Sequence, residues 1–296
     1  MSDIVLLDGG MGQELIHRVG DRPTPLWSTQ VMIDHPGLVQ AVHGDYFAAG
    51  STVATTNTYC IHHDRLLPAD LDGQFHALHR AALAEAKAAR TAAGHGRIAG
   101  SIGPLVASYR PDVHPPHAEA VDKYAEVARE LAPHVDLIIC ETVASLAHAR
   151  AVMEGALSVG LPVWLSVTVD DRDGSRLRSG EPVSGICPIG ARAEALLANC
   201  SAPEAMAAAL AALQPAGKPF GAYANGFTQI TADFLKDQPT VDALSARRDL
   251  SPAIYATYAM GWIAQGATIV GGCCEVGPAH ITALARALLA AGHRIV

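Results

Sequence analysis

The feature that most constrains the fold is a pair of segment types that repeats along the whole chain. Short apolar runs rich in Val and Ile alternate with longer segments rich in Ala and Leu. Eight such runs lie at residues 4–8, 51–56, 97–102, 136–140, 162–167, 194–200, 219–224 and 267–272. Because they lack polar alternation, they predict strands that are buried on both faces and joined in parallel by helices. We therefore expect one α/β domain over residues 1–296, a single (β/α)8 TIM-type barrel, with an open doubly wound sheet as the alternative.

Two of the intervening segments have helical periodicity. Their apolar residues recur every three or four positions, at 71, 75, 78 and 82 and at 281, 284 and 288, which predicts helices that pack on the sheet. Long loops rich in Pro, Gly and Asp follow the third, fifth and seventh predicted strands, at 104–117, 170–182 and 225–252. In a barrel these loops lie on the catalytic face.

Composition narrows the class of partner. The chain has 296 residues and a net charge of −8, with 21 basic against 29 acidic residues and no run of Lys or Arg. This balance argues against nucleic acid and anionic membranes as partners. We expect small-molecule substrates and a chain that is a monomer or small homo-oligomer. The N-terminus lacks the basic flank of a secretory signal, and six cysteines without such a signal indicate thiols kept reduced. We expect a cytoplasmic protein.

Polar and reactive side chains gather where the predicted strands end. These are Asp8, Asn57, Tyr59, Ser101, Glu141, Cys200, Asn225, Cys273 and Cys274. Barrel enzymes assemble their active sites at the C-terminal ends of the strands, where each strand is a rigid mount. The clustering therefore predicts an active site at this end.

The most specific candidate is a metal site. Cys273 and Cys274 follow a buried strand and a Gly-Gly pair, and Cys200 ends another predicted strand. Three thiolates would leave a tetrahedral zinc with an open fourth position, the arrangement of a catalytic site. The alternatives for the adjacent pair are a redox couple or chance adjacency.

The remaining cysteines and the histidines have simpler interpretations. Cys60, Cys140 and Cys187 have no partner pattern, and we expect them to act as small buried hydrophobic residues. The histidine pair at 62–63 and the HPPH segment at 114–117 lack metal-ligand spacing and are interpreted as loop residues without a metal role.

Two carboxylates and several aromatic residues suggest what the site binds. Asp8 and Glu141 directly follow apolar runs, where a charge needs a partner such as the ammonium group of an amino acid. The alternative is that Asp8 caps a loop and Glu141 pairs with an arginine. Trp27, Tyr59 and Tyr223 could line a pocket for a cation through their ring faces, although each could also be core.

Taken together, the motifs resemble those of the homocysteine S-methyltransferase family across essentially the whole chain. They are, in order, DGGMGQEL, PLWS, TTNTY, GSIGP, ICET, NC followed by SAPE, YANG, and GGCC followed by P-x-HI. The resemblance implies a zinc-dependent barrel whose metal is held by Cys200, Cys273 and Cys274. It also implies that Asp8 and Glu141 hold the homocysteine amino group.

The resemblance also bears on the methyl donor. Thr142 follows Glu141 where the betaine-using branch has tyrosine, and the PLWS and Y-x-N motifs are more similar to the branch that uses S-methylmethionine or S-adenosylmethionine. We therefore predict transfer of a methyl group from such a sulfonium to a zinc-activated homocysteine thiolate, which forms methionine. The predicted substrate-binding residues are Asp8, Trp27, Tyr59, Glu141 and Asn225.

Some alternatives stay open. The chain has Gln13 in GQEL where the family commonly has GTEL, GSIGPLVA where it has GSIGPYGA, and YANGF where it has YPNSG. These positions lie at the mouth of the expected site, so betaine, dimethylsulfoniopropionate or another thiol acceptor remains possible. A different class of function is a zinc- and thiol-based redox sensor without transfer activity.

Overall fold

The strands form one sheet of parallel neighbours. A computed structural model describes residues 2–20, 24–236, 240 and 243–296. The strands of this part of the chain are β1 Asp3–Leu6, β2 Val53–Thr55, β3 Arg97–Ile102, β4 Leu137–Val143, β5 Val163–Val167, β6 Ala195–Asn199, β7 Phe220–Tyr223, β8 Ile269–Val270 and β9 Arg294–Ile295. Their order in the sheet is β2-β3-β4-β5-β6-β7-β8-β1-β9.

This order produces a barrel-like sheet. Each of β2 to β8 lies beside its neighbour in sequence, without the reversal of order that defines a doubly wound sheet. A parallel bridge between Leu7 and Val53, with a 2.8 Å hydrogen bond from Thr52 N to Leu6 O, brings the end of β1 beside β2. The predicted parallel barrel-like α/β fold is confirmed. The short strand β9, which pairs with β1, was not predicted.

Helices follow most strands and cover the outside of the sheet. Their bounds are α1 Met11–Val19, α2 Ser28–Asp34, α3 Leu38–Ala48, α4 His63–Leu66, α5 Phe75–Ala93, α6 His117–Leu131, α7 Leu146–Leu157, α8 Ile186–Ile189, α9 Met206–Leu213, α10 Pro252–Ala264 and α11 Pro278–Ala290. No helix in the described ranges combines the length and apolarity that crossing a bilayer requires. Part of the predicted loop at 225–252, residues 237–239 and 241–242, lies outside the described residues, as do residues 21–23.

Local sequence explains where these helices begin and end. Ser145 and Ser251 begin α7 and α10 by accepting hydrogen bonds from the backbone N–H three residues on. The predicted stripe of α11 is buried along its length, as expected. The stripe predicted from Leu71 begins four residues too early, because residues 72–74 form a 3₁₀ turn and α5 begins at Phe75.

Side chains of the strands alternate between two apolar layers. In β4, Leu137 and Ile139 point into the barrel, whereas Ile138 and Cys140 pack under the helices. Cys140 is therefore core, as predicted, and Cys60 is also buried. Cys187 is only half-buried, because it lies in the short helix α8 near the surface. The alternation places the next odd residue, Glu141, inside the barrel.

Strand β4 differs from the sequence-based expectation at its end. The predicted strand stops at residue 140, but β4 continues to Val143 and so includes Glu141. The register pairs Cys140 with Leu165 and Val143 with Val167, which leaves one extra residue on β4. This is a β-bulge, and it lets two consecutive residues, Glu141 and Thr142, face the interior.

Candidate active site

A cavity of about 510 Å³ lies where the strands end. It contains seven of the nine polar residues predicted to cluster there, together with Trp27 and Tyr223. Those seven are Asp8, Asn57, Tyr59, Glu141, Cys200, Cys273 and Cys274. Ser101 contacts the cavity only through Glu141, to which its hydroxyl donates. Asn225 is buried beside the cavity, and its side-chain oxygen accepts a hydrogen bond from Phe227 N in its own loop.

The three predicted metal ligands converge. The sulfur atoms of Cys200, Cys273 and Cys274 all lie within 4.8 Å of one another. Cys200 leaves β6 with a φ of 50°, and this left-handed turn directs its side chain towards the loop after β8. At Gly10 a Cβ would lie 2.5 Å from the carbonyl oxygen of Cys273, so only glycine permits this close approach.

The structure joins Cys200 and Cys273 in a disulfide and leaves Cys274 as a free thiol. This pairing departs from the expectation that all cysteines are reduced. It uses the same sulfur atoms that the metal site requires, so metal binding needs the pair in its reduced form.

The chemistry of the three sulfurs fits a zinc ion. Burial, and then the nearby Glu275 carboxylate, raises the pKa of the Cys274 thiol well above its usual value. A thiol in these surroundings stays protonated unless a cation compensates for the charge of the thiolate. Three converging thiolates are a ligand set that zinc prefers, and they leave its fourth position open.

Two buried carboxylates face the same cavity. Glu141 accepts hydrogen bonds from Ser101 Oγ at 2.5 Å and from the Tyr223 hydroxyl at 3.1 Å. Asp8 accepts from Thr55 N at 2.6 Å and Thr55 Oγ1 at 2.8 Å. The partners of Glu141 are thus hydroxyl groups rather than the arginine weighed as an alternative. We call these two carboxylates and the three cysteines the floor of the cavity.

The electrostatics of the floor favour a cationic ligand. Burial raises the pKa of Asp8 to about 7, although its bonds to Thr55 act in the opposite direction and the charge of Glu141 adds to the rise. Burial also raises the pKa of Glu141. A ligand ammonium group between them would replace the lost hydration and stabilise both charges.

One wall of the cavity is aromatic and tied to the cysteine loop. Trp27 and Tyr59 meet edge to face with ring centroids 6.2 Å apart. The Trp27 indole N–H donates to Gln13 Oε1 at 2.9 Å, and Gln13 Nε2 donates to Glu275 Oε1 at 2.5 Å. Sequence reasoning did not assign Gln13 a role, but its departure from the family pattern was the signal that could have found it.

Another part of the cavity lining, packed against Trp27 and the cysteines, consists of loop residues, which we call the roof. It consists of Tyr109, Phe227, Phe234 and Leu244. Tyr109 lies edge-on to Phe234 at 5.9 Å, and the Arg178 guanidinium lies 5.3 Å from the Tyr109 ring centroid. The sequence predicted the loops but none of these side chains. The aromatic residues within the loops were the signal that could have indicated them.

Comparison with known proteins assigns the chain to a family. The model of the homocysteine S-methyltransferase family matches residues 5–288. The chain belongs to the homocysteine S-methyltransferase family. The Escherichia coli homocysteine S-methyltransferase is 32% identical over 95% of this chain and 94% of its own length.

Solved structures support the same assignment. The metallated form of the Escherichia coli homocysteine methyltransferase MmuM superposes with a TM-score of 0.80 at 29% identity, covering 96% of both chains. Its oxidized form gives a TM-score of 0.77 at 30% identity and covers 95% of this chain and 94% of that one.

The predicted enzyme class is confirmed, and the family assignment favours an enzyme over the thiol sensor weighed from the sequence. The methyl acceptor of the family is homocysteine sulfur.

Proposed function

We propose that this enzyme transfers a methyl group from S-methylmethionine or S-adenosylmethionine to homocysteine, with zinc held by Cys200, Cys273 and Cys274. The observation that carries the proposal is that three sulfurs within 4.8 Å of one another share a cavity with two buried carboxylates. When bound, zinc supplies a Lewis-acid position that lowers the pKa of the substrate thiol, so that a thiolate persists at neutral pH.

The carboxylates of the floor would hold the other end of homocysteine. Glu141 and Asp8 are fixed by Ser101, Tyr223 and Thr55, so their free oxygen positions can accept bonds from the substrate ammonium group. With the amino group fixed at the carboxylates, the substrate thiol reaches the cysteines with little remaining freedom. This positioning reduces the entropy that the reaction would otherwise lose.

The reaction is a direct displacement at the methyl carbon. The homocysteine sulfur attacks this carbon in line, the bond to the donor sulfur breaks, and its electron pair neutralises the sulfonium. The positive charge therefore disappears as the transition state forms. A wall that bound the cation tightly would slow the step, so Trp27 and Tyr59 would serve by modest ring contact, alignment and exclusion of water. We include Asn225 among the substrate-binding residues because its side chain accepts a hydrogen bond from Phe227 N and so holds the neighbouring loop of the roof.

The first experiment measures zinc and methyl transfer together. Zinc per chain is determined on reduced, anaerobically purified wild type and on Cys200→Ser, with Cys187→Ser as the matched control because Cys187 lies outside the cavity. We expect about one zinc in wild type and in the control, and its loss in Cys200→Ser. Folded, reduced wild type without zinc would contradict the metal site.

The same samples identify the donor. Methionine formation from homocysteine is measured with S-methylmethionine, S-adenosylmethionine, betaine and dimethylsulfoniopropionate in parallel. We expect turnover with a sulfonium amino acid and none with betaine, whose cation is a quaternary ammonium. Preferred use of betaine or dimethylsulfoniopropionate would overturn the donor assignment while leaving the zinc chemistry intact.

A further inference from the structure

Beside the floor lies a buried amide whose role the reaction does not explain. Asn199 is the last residue of β6, directly before Cys200, and none of its surface is exposed. Along β6, Leu197 points into the barrel and Ala198 packs under the helices. By the same alternation Asn199 points inward, at the level of the β4 bulge.

The Asn199 side chain crosses β5 to reach this bulge. Its Oδ1 accepts from Thr142 N at 3.0 Å and from Ser166 Oγ at 2.9 Å, and its Nδ2 donates to Thr142 Oγ1 at 3.1 Å. Thr142 thus has both its backbone and its side chain bound to one amide. No backbone partner could supply this pair of bonds, because the bulge interrupts the ladder between β4 and β5.

Thr142 needs such support because its backbone is strained. Its φ is 60°, in the left-handed region that β-branched residues rarely adopt. A conformation of this kind persists only where the surrounding structure imposes it, and it is concentrated at functional sites. Relaxation of Thr142 would rotate the preceding peptide and therefore move Glu141, whose carboxylate must meet Ser101 and Tyr223.

We propose that Asn199 is a positioning residue, which holds Thr142 in the bulge and thereby aims the Glu141 carboxylate at the amino group of the substrate. The proposal rests on the function proposed above for Glu141. Asn199 also connects the two parts of the floor, because it holds the bulge that carries Glu141 and directly precedes the predicted metal ligand Cys200.

The test compares Asn199→Ala with Ser166→Ala. The control removes one hydrogen bond to the same amide and one with the Tyr223 hydroxyl, but leaves both bonds to Thr142 intact. In Asn199→Ala we expect the KM for homocysteine to rise about 10- to 100-fold, with kcat changed less and zinc retained, because the carboxylate is misplaced. In Ser166→Ala we expect a change within about threefold.

Hydrogen exchange gives a readout that does not depend on activity. Thr142 N–H is buried and bonded to Asn199, so its exchange should accelerate in Asn199→Ala. Peptides that cover 140–144 should exchange faster, whereas those of β3 should not change. Equal acceleration throughout the barrel would mean general destabilisation and would overturn the proposal. If Asn199→Ala does not fold, Asn199→Ser is measured with the same expectation.

A rescue variant tests the strain directly. Glycine adopts a positive φ without steric cost, so Thr142→Gly should make Asn199 less necessary. We expect the homocysteine KM of the double variant to be at least about threefold lower than that of Asn199→Ala alone. Absence of this rescue, or an unchanged KM in Asn199→Ala, would refute the role. A different result would mean that the proposed function is wrong: wild type would then lack zinc or turnover. The exchange measurement would still show whether Asn199 holds the bulge.

Discussion

The floor and the roof of the cavity are stabilised by different forces. The floor is polar and attached to strand ends, and Glu141 and Asp8 are each fixed by two hydrogen bonds of 3.1 Å or less. The roof is apolar and belongs to long loops that meet through ring contacts such as Tyr109 with Phe234. Strands in a hydrogen-bonded sheet are more rigid than loops. The groups expected to react therefore lie in the more rigid region, the floor.

This difference assigns distinct tasks to the two regions. The floor contains buried carboxylates and thiols, so removing one side chain leaves its buried polar or charged partner without compensation. We expect the roof to exclude water and to shape the space for a donor, with each ring contributing a contact that its neighbours partly replace. Substitutions in the floor should therefore abolish single functions, whereas those in the roof should reduce efficiency.

The largest effect is expected for Cys273→Ser, measured in the reduced protein. A serine hydroxyl is a poor zinc ligand, so we expect zinc to fall below about a tenth per chain and the rate by more than about 100-fold. The melting temperature of the metal-free chain should move by less than about 4 °C, since Cys273 is only partly buried beside the inner core and serine has nearly the same size. Full zinc occupancy and turnover in this variant would remove Cys273 from the ligand set.

A smaller and more selective effect is expected for Glu141→Gln. A charge-assisted bond to an ammonium group contributes about 1.5–3 kcal/mol, so the KM for homocysteine should rise about 10- to 100-fold. Zinc content should not change. The matched control is Glu194→Gln at the opposite end of the barrel, where Glu194 accepts from Trp164 Nε1. Unchanged homocysteine kinetics would leave Glu141 with a structural role only.

The floor should also make stability depend on pH. The pKa of Asp8 is about 7 in the folded protein and about 3.9 in an unfolded chain, so between these values the folded state binds more protons. The free energy of unfolding should therefore fall as pH rises through this range, by at most about 1.4 kcal/mol per pH unit from this group. Denaturant unfolding of the reduced, metal-free protein at pH 5 and 7 measures this slope.

The variant Asp8→Asn isolates the contribution of this carboxyl. It removes the ionisation, so its unfolding free energy should decrease less between pH 5 and 7 than that of wild type. Buried groups that do not interact with Asp8 titrate in both proteins and cancel in the difference, and only the part that Asp8 shares with Glu141 stays in it. Equal slopes would show that the Asp8 carboxyl is already ionised at pH 5 in the folded protein.

The floor and the barrel could be predicted from the sequence because both follow from local patterns. Apolar runs predict the strands, and polar residues such as Asp8 and Cys200 occur in the sequence where those runs end. The bulge at Thr142 could not be predicted in this way. It depends on hydrogen bonds from Asn199, which is 57 residues away, and nothing in the local sequence of β4 signals that contact.

The roof escaped prediction for a related reason. Tyr109 and Phe234 lie in different loops, and only the closure of the barrel brings their rings within 5.9 Å. The same is true of the disulfide, since Cys200 and Cys273 are 73 residues apart. The sequence predicted that these two cysteines converge, but a metal site and a disulfide require the same convergence, so the pattern alone could not distinguish the oxidation states.

The smallest effect is expected for Phe234→Ala in the roof. An edge-on aromatic pair contributes about 0.5–1.5 kcal/mol, so the KM for the donor should rise about 3- to 10-fold while zinc content and the KM for homocysteine stay unchanged. Tyr109→Phe is the matched control, because it keeps the ring that Phe234 contacts. The contrary result is that Phe234→Ala impairs homocysteine binding as strongly as Glu141→Gln does. A roof residue would then control the substrate that the floor is expected to hold, and the two regions would not have separate tasks.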